Sequence, residues 1–302
     1  MKRFLEVHKE FLPDRLELSR LEAQAAHIRA SRHGRTVESA PNETHSHFLG
    51  RGLDFEEVRA YAPGDDMRAM DWRVTARTGK PHIKVYREER QRVMVLVIDV
   101  ASSMLFGSST TTKLAQAVRA AALFAFSMLQ HRDRMSVLLI GEYGGFEVPP
   151  CQPYEALWRT IDFLSSGKDG RGGGMSWGGL LATMPRGRIV TLISDFLHWE
   201  EHDWKALSQT ASRHYPAAIQ IYDPVECAMP DIGLARVSGL GGEAFMIDTG
   251  RRRAREAYAA CWDAHQTALL RRFSSASVPY WSVSTTDDPS ADIGQMVNIL
   301  RR

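Results

Sequence analysis

Val93 to Met104 reads VMVLVIDVASSM, and the fold turns on how this stretch is read. Val93 to Ile98 are six uninterrupted apolar residues, mostly β-branched, the pattern of a strand buried on both faces in a parallel sheet covered by helices. Asp99 follows at once. Its carboxylate therefore stands at the carboxyl end of a central strand, in the crevice where open α/β sheets bind their ligands, with the hydroxyls of Ser102 and Ser103 beside it. A hydroxyl-rich link, Ser108 to Thr112, then leads into a helix that starts near Lys113 and carries Ala115, Val118, Ala122, Phe126 and Leu129 at helical spacing.

Downstream the same rhythm repeats. Strands are predicted at Met135 to Ile140, Ile189 to Ile193, Ala217 to Tyr222 and Val278 to Val283. Helices are predicted between them at Tyr154 to Leu164, Trp199 to Arg213 and Arg251 to Phe273, with a last helix opened by Asp288-Pro289. Leu234 to Ser238 and Glu243 to Asp248, joined by a glycine-rich turn, read as a hairpin insert. Upstream, Asp14 caps a helix reaching Ala30, and a polar stretch from His33 to Ser46 reads as a loop. In the segment Gly50 to Gln91, Asp65 is placed to cap a short helix with Met67, Met70 and Val74 on its apolar face, and Ile83 and Val85 lie in an edge strand. The expected organisation is an N-terminal helix and linker over residues 1–49, a smaller segment over 50–92 and an α/β domain over 93–302.

Bulk properties narrow the function. The 302 residues carry 38 Lys and Arg against 36 Asp and Glu, a net charge of +2, without the basic surplus of a nucleic-acid binder. Three widely spaced cysteines without a CxxC pair fit a reducing cytoplasm. No apolar run approaches the ~20 residues that span a bilayer, so direct membrane insertion is not expected. The glycine stretch Gly170 to Gly174 lacks the Lys-Ser or Lys-Thr of a phosphate loop, and no G-x-S-x-G elbow surrounds Ser102 or Ser103. His198 to His202 formally fits H-x-x-E-H, but no third zinc ligand is identifiable. Trp199 and Trp204 beside it are either core or a partner patch. Arg59, Asp65, Asp66, Arg68, Asp71, Arg73 and Arg77 form either an interaction surface or a solvated, salt-bridged face.

Three motifs together carry a resemblance. Gly50 to Arg90, then VLVIDVASSM, then LISDF resemble the bacterial family known as domain of unknown function 58, whose body is similar to a von Willebrand factor A domain. The resemblance implies a Rossmann-like sheet with a metal-ion-dependent adhesion site, in which Asp-x-Ser-x-Ser, a later Thr and a later Asp hold a metal completed by a partner's carboxylate. Asp99, Ser103 and Asp195 match that pattern. Ala101 and Met175 replace the first serine and the threonine, and Ser102 and Ser176 are neighbouring hydroxyls one position out of register. The expected site is therefore a degenerate one, with Mg²⁺ as the ion it would take. The resemblance further implies a non-enzymatic protein–protein interaction module serving a MoxR-type AAA+ ATPase in chaperone-like assembly, with Asp99, Asp195, Arg59, Asp65, Asp66, Arg68, Asp71 and Arg73 at the partner surface. The alternative is a divalent-metal-assisted hydrolase in which Asp99 and Asp195 position a water.

Overall fold

The computed structural model describes residues 9–30, 53–62, 65–88, 93–129, 132–141, 145–167, 177–238 and 244–300. The strands are β1 (Leu53–Ala60), β2 (His82–Glu88), β3 (Val93–Asp99), β4 (Arg134–Ile140), β5 (Phe146–Cys151), β6 (Ile189–Ser194), β7 (Tyr215–Tyr222), β8 (Leu234–Ser238), β9 (Ala244–Asp248) and β10 (Tyr280–Ser284). The helices are α1 (Arg15–Ala30), α2 (Trp72–Thr78), α3 (Lys113–Met128), α4 (Pro153–Ser165), α5 (Trp177–Thr183), α6 (Glu201–Ala211), the single turn α7 (Pro224–Cys227), α8 (Arg252–Ser275) and α9 (Ser290–Leu300). The chain divides into two compact units. One joins Met1–Glu38 to Val93–Arg302, and the other is Ser39–Arg92.

The larger unit is built on a six-stranded sheet in the order β10-β7-β6-β3-β4-β5, parallel throughout except for β5, which runs antiparallel to β4 at one edge. This is the Rossmann-like α/β arrangement that the resemblance to von Willebrand factor A-type domains implied. Its centre is β3, buried from Met94 to Asp99. Side chains alternate across a strand. Val95 and Val97 join one core with Val190, Leu192 and the aromatic residues Trp177, Phe196, Trp199, Trp204 and Phe273 from the α5, α6 and α8 side. Met94, Leu96 and Ile98, all 0% exposed, take the opposite face, where α3 packs. Burial on both faces explains the unbroken apolar run. It also places Trp199 and Trp204 in the core.

Helix α3 begins at Lys113 because the Thr112 side chain accepts the Ala115 N–H as its cap. Every residue of α3 except Arg119 is buried, since α1 and α9 cover the side turned away from the sheet. Asp14 caps α1 as expected, accepting the Glu17 N–H at 2.7 Å. The Arg119 guanidinium ties α1 down through Glu17 and the Phe11 carbonyl. The N-terminal helix is thus part of the larger unit rather than a separate element. Three elements were not foreseen there, the antiparallel edge strand β5, the short helix α5 and the single turn α7. The hairpin β8–β9 is antiparallel as expected.

In the smaller unit β1 and β2 pair antiparallel, with a register shift between Phe55 and Glu57. One helix was expected after Asp65, and two short elements stand there instead. A 3-10 turn, Met67–Ala69, is capped by Asp66, and α2 is capped by Asp71, which accepts the Arg73 and Val74 N–H groups. Asp65 caps neither.

Candidate functional site

The carboxyl ends of β3, β6, β7 and β10 lie side by side, and each ends in a group that bonds across to a neighbour. Asp99 closes β3. Its Oδ1 accepts the Ala101 N–H at 2.8 Å and its Oδ2 accepts the Ser194 hydroxyl at 2.5 Å, so strands β3 and β6 are stitched at their ends. Ser194 Oγ in turn accepts the Phe196 N–H at 2.9 Å. Phe196 holds a left-handed backbone at φ 56°, which its burial against Trp199 and Phe273 sustains. Burial pushes the Asp99 carboxyl up to about 7, helped by the charge of Asp195 and opposed by the Ser194 and Ala101 bonds and by Lys113.

Asp195 follows Ser194. Its Oδ1 accepts the Leu197 N–H at 3.1 Å, and its Oδ2 accepts from Lys113 Nζ at 2.8 Å. The same ammonium donates to Glu226 Oε1 at 2.5 Å. Lys113 is fully buried. Burial would lower its pKa, but the charges of Asp195 and Glu226 and their bonds outweigh that and hold the ammonium above its ordinary value. Glu226 belongs to α7, and its Oε2 accepts the Asp223 N–H at 2.9 Å in a capping box. Burial raises the Glu226 carboxyl despite the ammonium beside it.

Asp223 forms the second knot. It accepts the Ser108 N–H at 2.9 Å, the Ser108 hydroxyl at 2.5 Å, the Thr285 hydroxyl at 2.8 Å and the Val225 N–H at 3.0 Å. Burial would raise its carboxyl, yet these bonds, led by Ser108, hold it below the usual carboxylate range. Ends of β7 and β10 and the loop before α3 are thereby joined.

Of the residues singled out in the sequence, Asp99 and Asp195 are brought together, and Ser102 and Ser103 open the 3-10 turn directly after Asp99. Asp99 and Asp195 are 3% and 2% exposed, so they build the crevice from beneath instead of offering their oxygens at its surface. Met175 and Ser176 lie outside the described residues. The sequence reading missed Lys113, Glu226, Asp223, Ser108 and Thr285. A signal was present for three of them, Lys113, Asp223 and Glu226. A lysine opening a helix stands against the macrodipole, and Asp-Pro-Val-Glu over residues 223–226 is a capping-box pattern.

The donor set does not fit a hard divalent cation as it stands. Both Asp99 oxygens accept hydrogen bonds, the outer oxygen of Asp195 is held by an ammonium, and Ala101 offers no ligand atom. Ser103 Oγ is buried and finds no hydrogen-bond partner among the described residues, the one spare hard donor on the loop. Among those residues no group of three or more His, Cys, Asp and Glu side chains is placed to hold a metal ion. His202 of the H-x-x-E-H stretch lies instead beside Glu200 and Asp203, each at 3.3 Å.

The model of a family described as "Protein of unknown function DUF58" matches residues 57–268, more than half of the chain. The chain belongs to this family. Among relatives of this DUF58 chain, the uncharacterized proteins Mb1516 of Mycobacterium bovis and Rv1480 of Mycobacterium tuberculosis are each 32% identical over 265 residues, covering 84% of this chain and 81% of their own. Among solved structures, the conserved hypothetical protein BatB from Bacteroides thetaiotaomicron is 15% identical with a TM-score of 0.44, covering 70% of this chain and 98% of its own. An aerotolerance-related membrane protein from Bacteroides fragilis is 16% identical with a TM-score of 0.46, covering 69% of this chain and 99% of its own.

In the smaller unit of this DUF58 chain the acidic residues have local work. Asp65 takes a two-pronged bond from Arg59, at 2.9 and 2.7 Å, and accepts the Ala62 N–H at 2.8 Å. The Arg59 bond, foremost, holds the Asp65 carboxyl below its ordinary value. Asp66 and Asp71 are helix caps. Arg68 and Arg73 are exposed, and next to them Met67 and Trp72 are 63% and 69% exposed.

Proposed function

We propose that this DUF58 chain is a non-enzymatic protein–protein interaction module, resident in the cytoplasm, whose partner is a MoxR-type AAA+ ATPase engaged in chaperone-like assembly. One observation carries the non-enzymatic part. The carboxylates at the strand ends are bound to one another's neighbours, Asp99 to Ser194 and the Ala101 amide, Asp195 to Lys113 and the Leu197 amide. A hydrolase built on these two residues needs an ionised, accessible oxygen to position a water, and buried, engaged oxygens do not supply it. The partner surface falls to exposed groups. These are Arg68, Trp72 and Arg73 in the smaller unit. Among the described residues no helix is long and apolar enough to cross a membrane, which is compatible with a module that works on the surface of another protein.

The test is titration of the purified chain against a purified MoxR-type ATPase by calorimetry, with Trp72→Ala and Arg73→Glu as separate variants. Binding weakened at least tenfold by Trp72→Ala, with far-UV circular dichroism unchanged, is the expected result. Absence of binding by the native chain sinks the partner assignment. Hydrolysis of p-nitrophenyl phosphate or acetate that disappears in Asp195→Asn sinks the non-enzymatic reading.

A further inference from the structure

Asp195 directly follows β6 and Glu226 stands in α7, the turn after the adjacent strand β7, and their oxygens converge on one point inside the protein. What occupies that point is the side chain of Lys113, with no exposure to solvent and with bonds of 2.8 and 2.5 Å to the two carboxylates. Nothing local calls for a lysine there. It is the first residue of α3, where the positive end of the helix dipole disfavours a cation, and its helix neighbours Leu114, Ala115 and Ala117 are buried apolar residues. Its four-carbon stem reaches inward to where negative charge is concentrated, and Asp99, whose charge Lys113 also moderates, lies beside the pair.

We propose that the Lys113 ammonium is the resident cation of this crevice: the native chain takes up no divalent ion there, and shortening this one side chain turns the oxygens it holds, those of Asp195 and Glu226, into a divalent-cation site. A buried ammonium and a small divalent ion make the same demand on their surroundings, convergent anionic oxygens shielded from water. The two cannot be held at once by the same outer oxygen of Asp195. Removal of the stem and ammonium frees Asp195 Oδ2 and Glu226 Oε1, two hard carboxylate oxygens that the ammonium now holds together. In Lys113→Ser the new hydroxyl adds a further oxygen, and the vacated volume admits a partly hydrated ion. The module is then one whose interactions are indifferent to chelators, because its cation is covalently attached. This holds whether or not the ATPase is the partner.

Mn²⁺ is the probe, followed by the paramagnetic resonance signal of the free ion, on the full chain. The native protein and Lys113→Arg, which keeps the positive charge, leave that signal unchanged. Lys113→Ser binds one Mn²⁺ per chain, at least tenfold more tightly than any uptake by the native protein, and Ca²⁺ competes. Lys113→Ser/Asp195→Asn loses the site. Since Lys113→Ser gives up stability, its melting temperature is read in parallel, and Mn²⁺ raises it while leaving the native value unmoved. Mn²⁺ uptake by the native chain that Asp195→Asn abolishes overturns the proposal. So does a folded Lys113→Ser that binds no Mn²⁺ and gains no thermal stability from it. Should Lys113→Ser not fold, silence in both the native chain and Lys113→Arg upholds the resident-cation claim, and an Asp195-dependent signal in either defeats it.

Discussion

Replacing Lys113 by methionine keeps most of the apolar stem and deletes the charge, leaving Asp195 and Glu226 facing each other without a cation. At the 2.8 Å separation of Nζ and Asp195 Oδ2, one unit pair attracts by about 6 kcal/mol at an effective dielectric near 20, and most of that offsets the desolvation of the two charges. The net cost of removing one partner from such a buried pair is about 3–5 kcal/mol, because the remaining carboxylates are then buried and uncompensated. The assay is urea unfolding followed by the fluorescence of the buried Trp177, Trp199 and Trp204, which reports on the larger unit. At pH 8 the transition of Lys113→Met should fall by that amount. Burial already raises the Glu226 carboxyl in the native protein, and the variant takes away the ammonium that holds it down, so its folded-state pKa lies further above the unfolded one. The Glu226 share of the penalty is thus full above its folded value and fades as pH falls toward the unfolded one, so the gap to the native protein narrows at pH 5. The triple variant Lys113→Met/Asp195→Asn/Glu226→Gln should recover most of the loss. A Lys113→Met protein within about 1 kcal/mol of native at pH 8, or a gap that does not shrink at pH 5, refutes the reasoning.

Two further expectations rest on the same edge of the sheet. Asp99, with its folded pKa raised from 3.8 to about 7, costs stability as pH rises between those values. Asp99→Asn should therefore be more stable than native at pH 8, by up to about 4 kcal/mol, with the advantage gone at pH 4, as urea midpoints at both values will report. A destabilised Asp99→Asn at pH 8 contradicts this. Gly107 sits so close to the loop before α3 that a Cβ would lie 2.0 Å from the Thr111 carbonyl oxygen. Gly107→Ala must displace that loop and with it the neighbouring Ser108 bonds to Asp223, lowering the melting temperature by several degrees, a loss of about 1–3 kcal/mol. A melting temperature equal to native removes Asp223 from the list of groups that lock the strand ends.

The parts of the fold that were legible in the sequence are those where one physical demand acts alone. β3 had to be apolar on both faces, so Val93 to Ile98 announced it, and α3 announced itself through an apolar pattern buried on nearly all sides. Strand β5 did not, because Pro149 and Pro150 argue against a strand unless it lies at a sheet edge, which is where it is. Strand β1 was hidden by the shift between Phe55 and Glu57, which breaks the period-two alternation. At the site, Asp99 and Asp195 could be found because strand ends define a crevice. Their partners could not. Lys113 and Glu226 are 113 residues apart, and a lysine opening a helix is odd without saying that it is buried or which carboxylates it meets. Asp65 was misassigned because three aspartates within seven residues, Asp65, Asp66 and Asp71, compete for two caps, and only the Arg59 fork decides which is left over.

The covering of α3 has a consequence for synthesis. This helix is closed on one side by the sheet and on the other by α1 and α9, elements from opposite ends of the chain, with Ile28 of α1 lying 3.9 Å from where a side chain at Gly294 of α9 would begin. A ribosome that has delivered residues 1–289 has made α1, α3 and the whole sheet, yet α3 still lacks the part of its cover that α9 supplies. The nascent domain thus cannot complete its core until its final helix emerges. Polypeptides that end early, by nonsense mutation or proteolysis before Ser290, expose a helix that is otherwise buried at every residue but Arg119, and cells should handle them as clients of chaperones and proteases rather than as shortened but working modules.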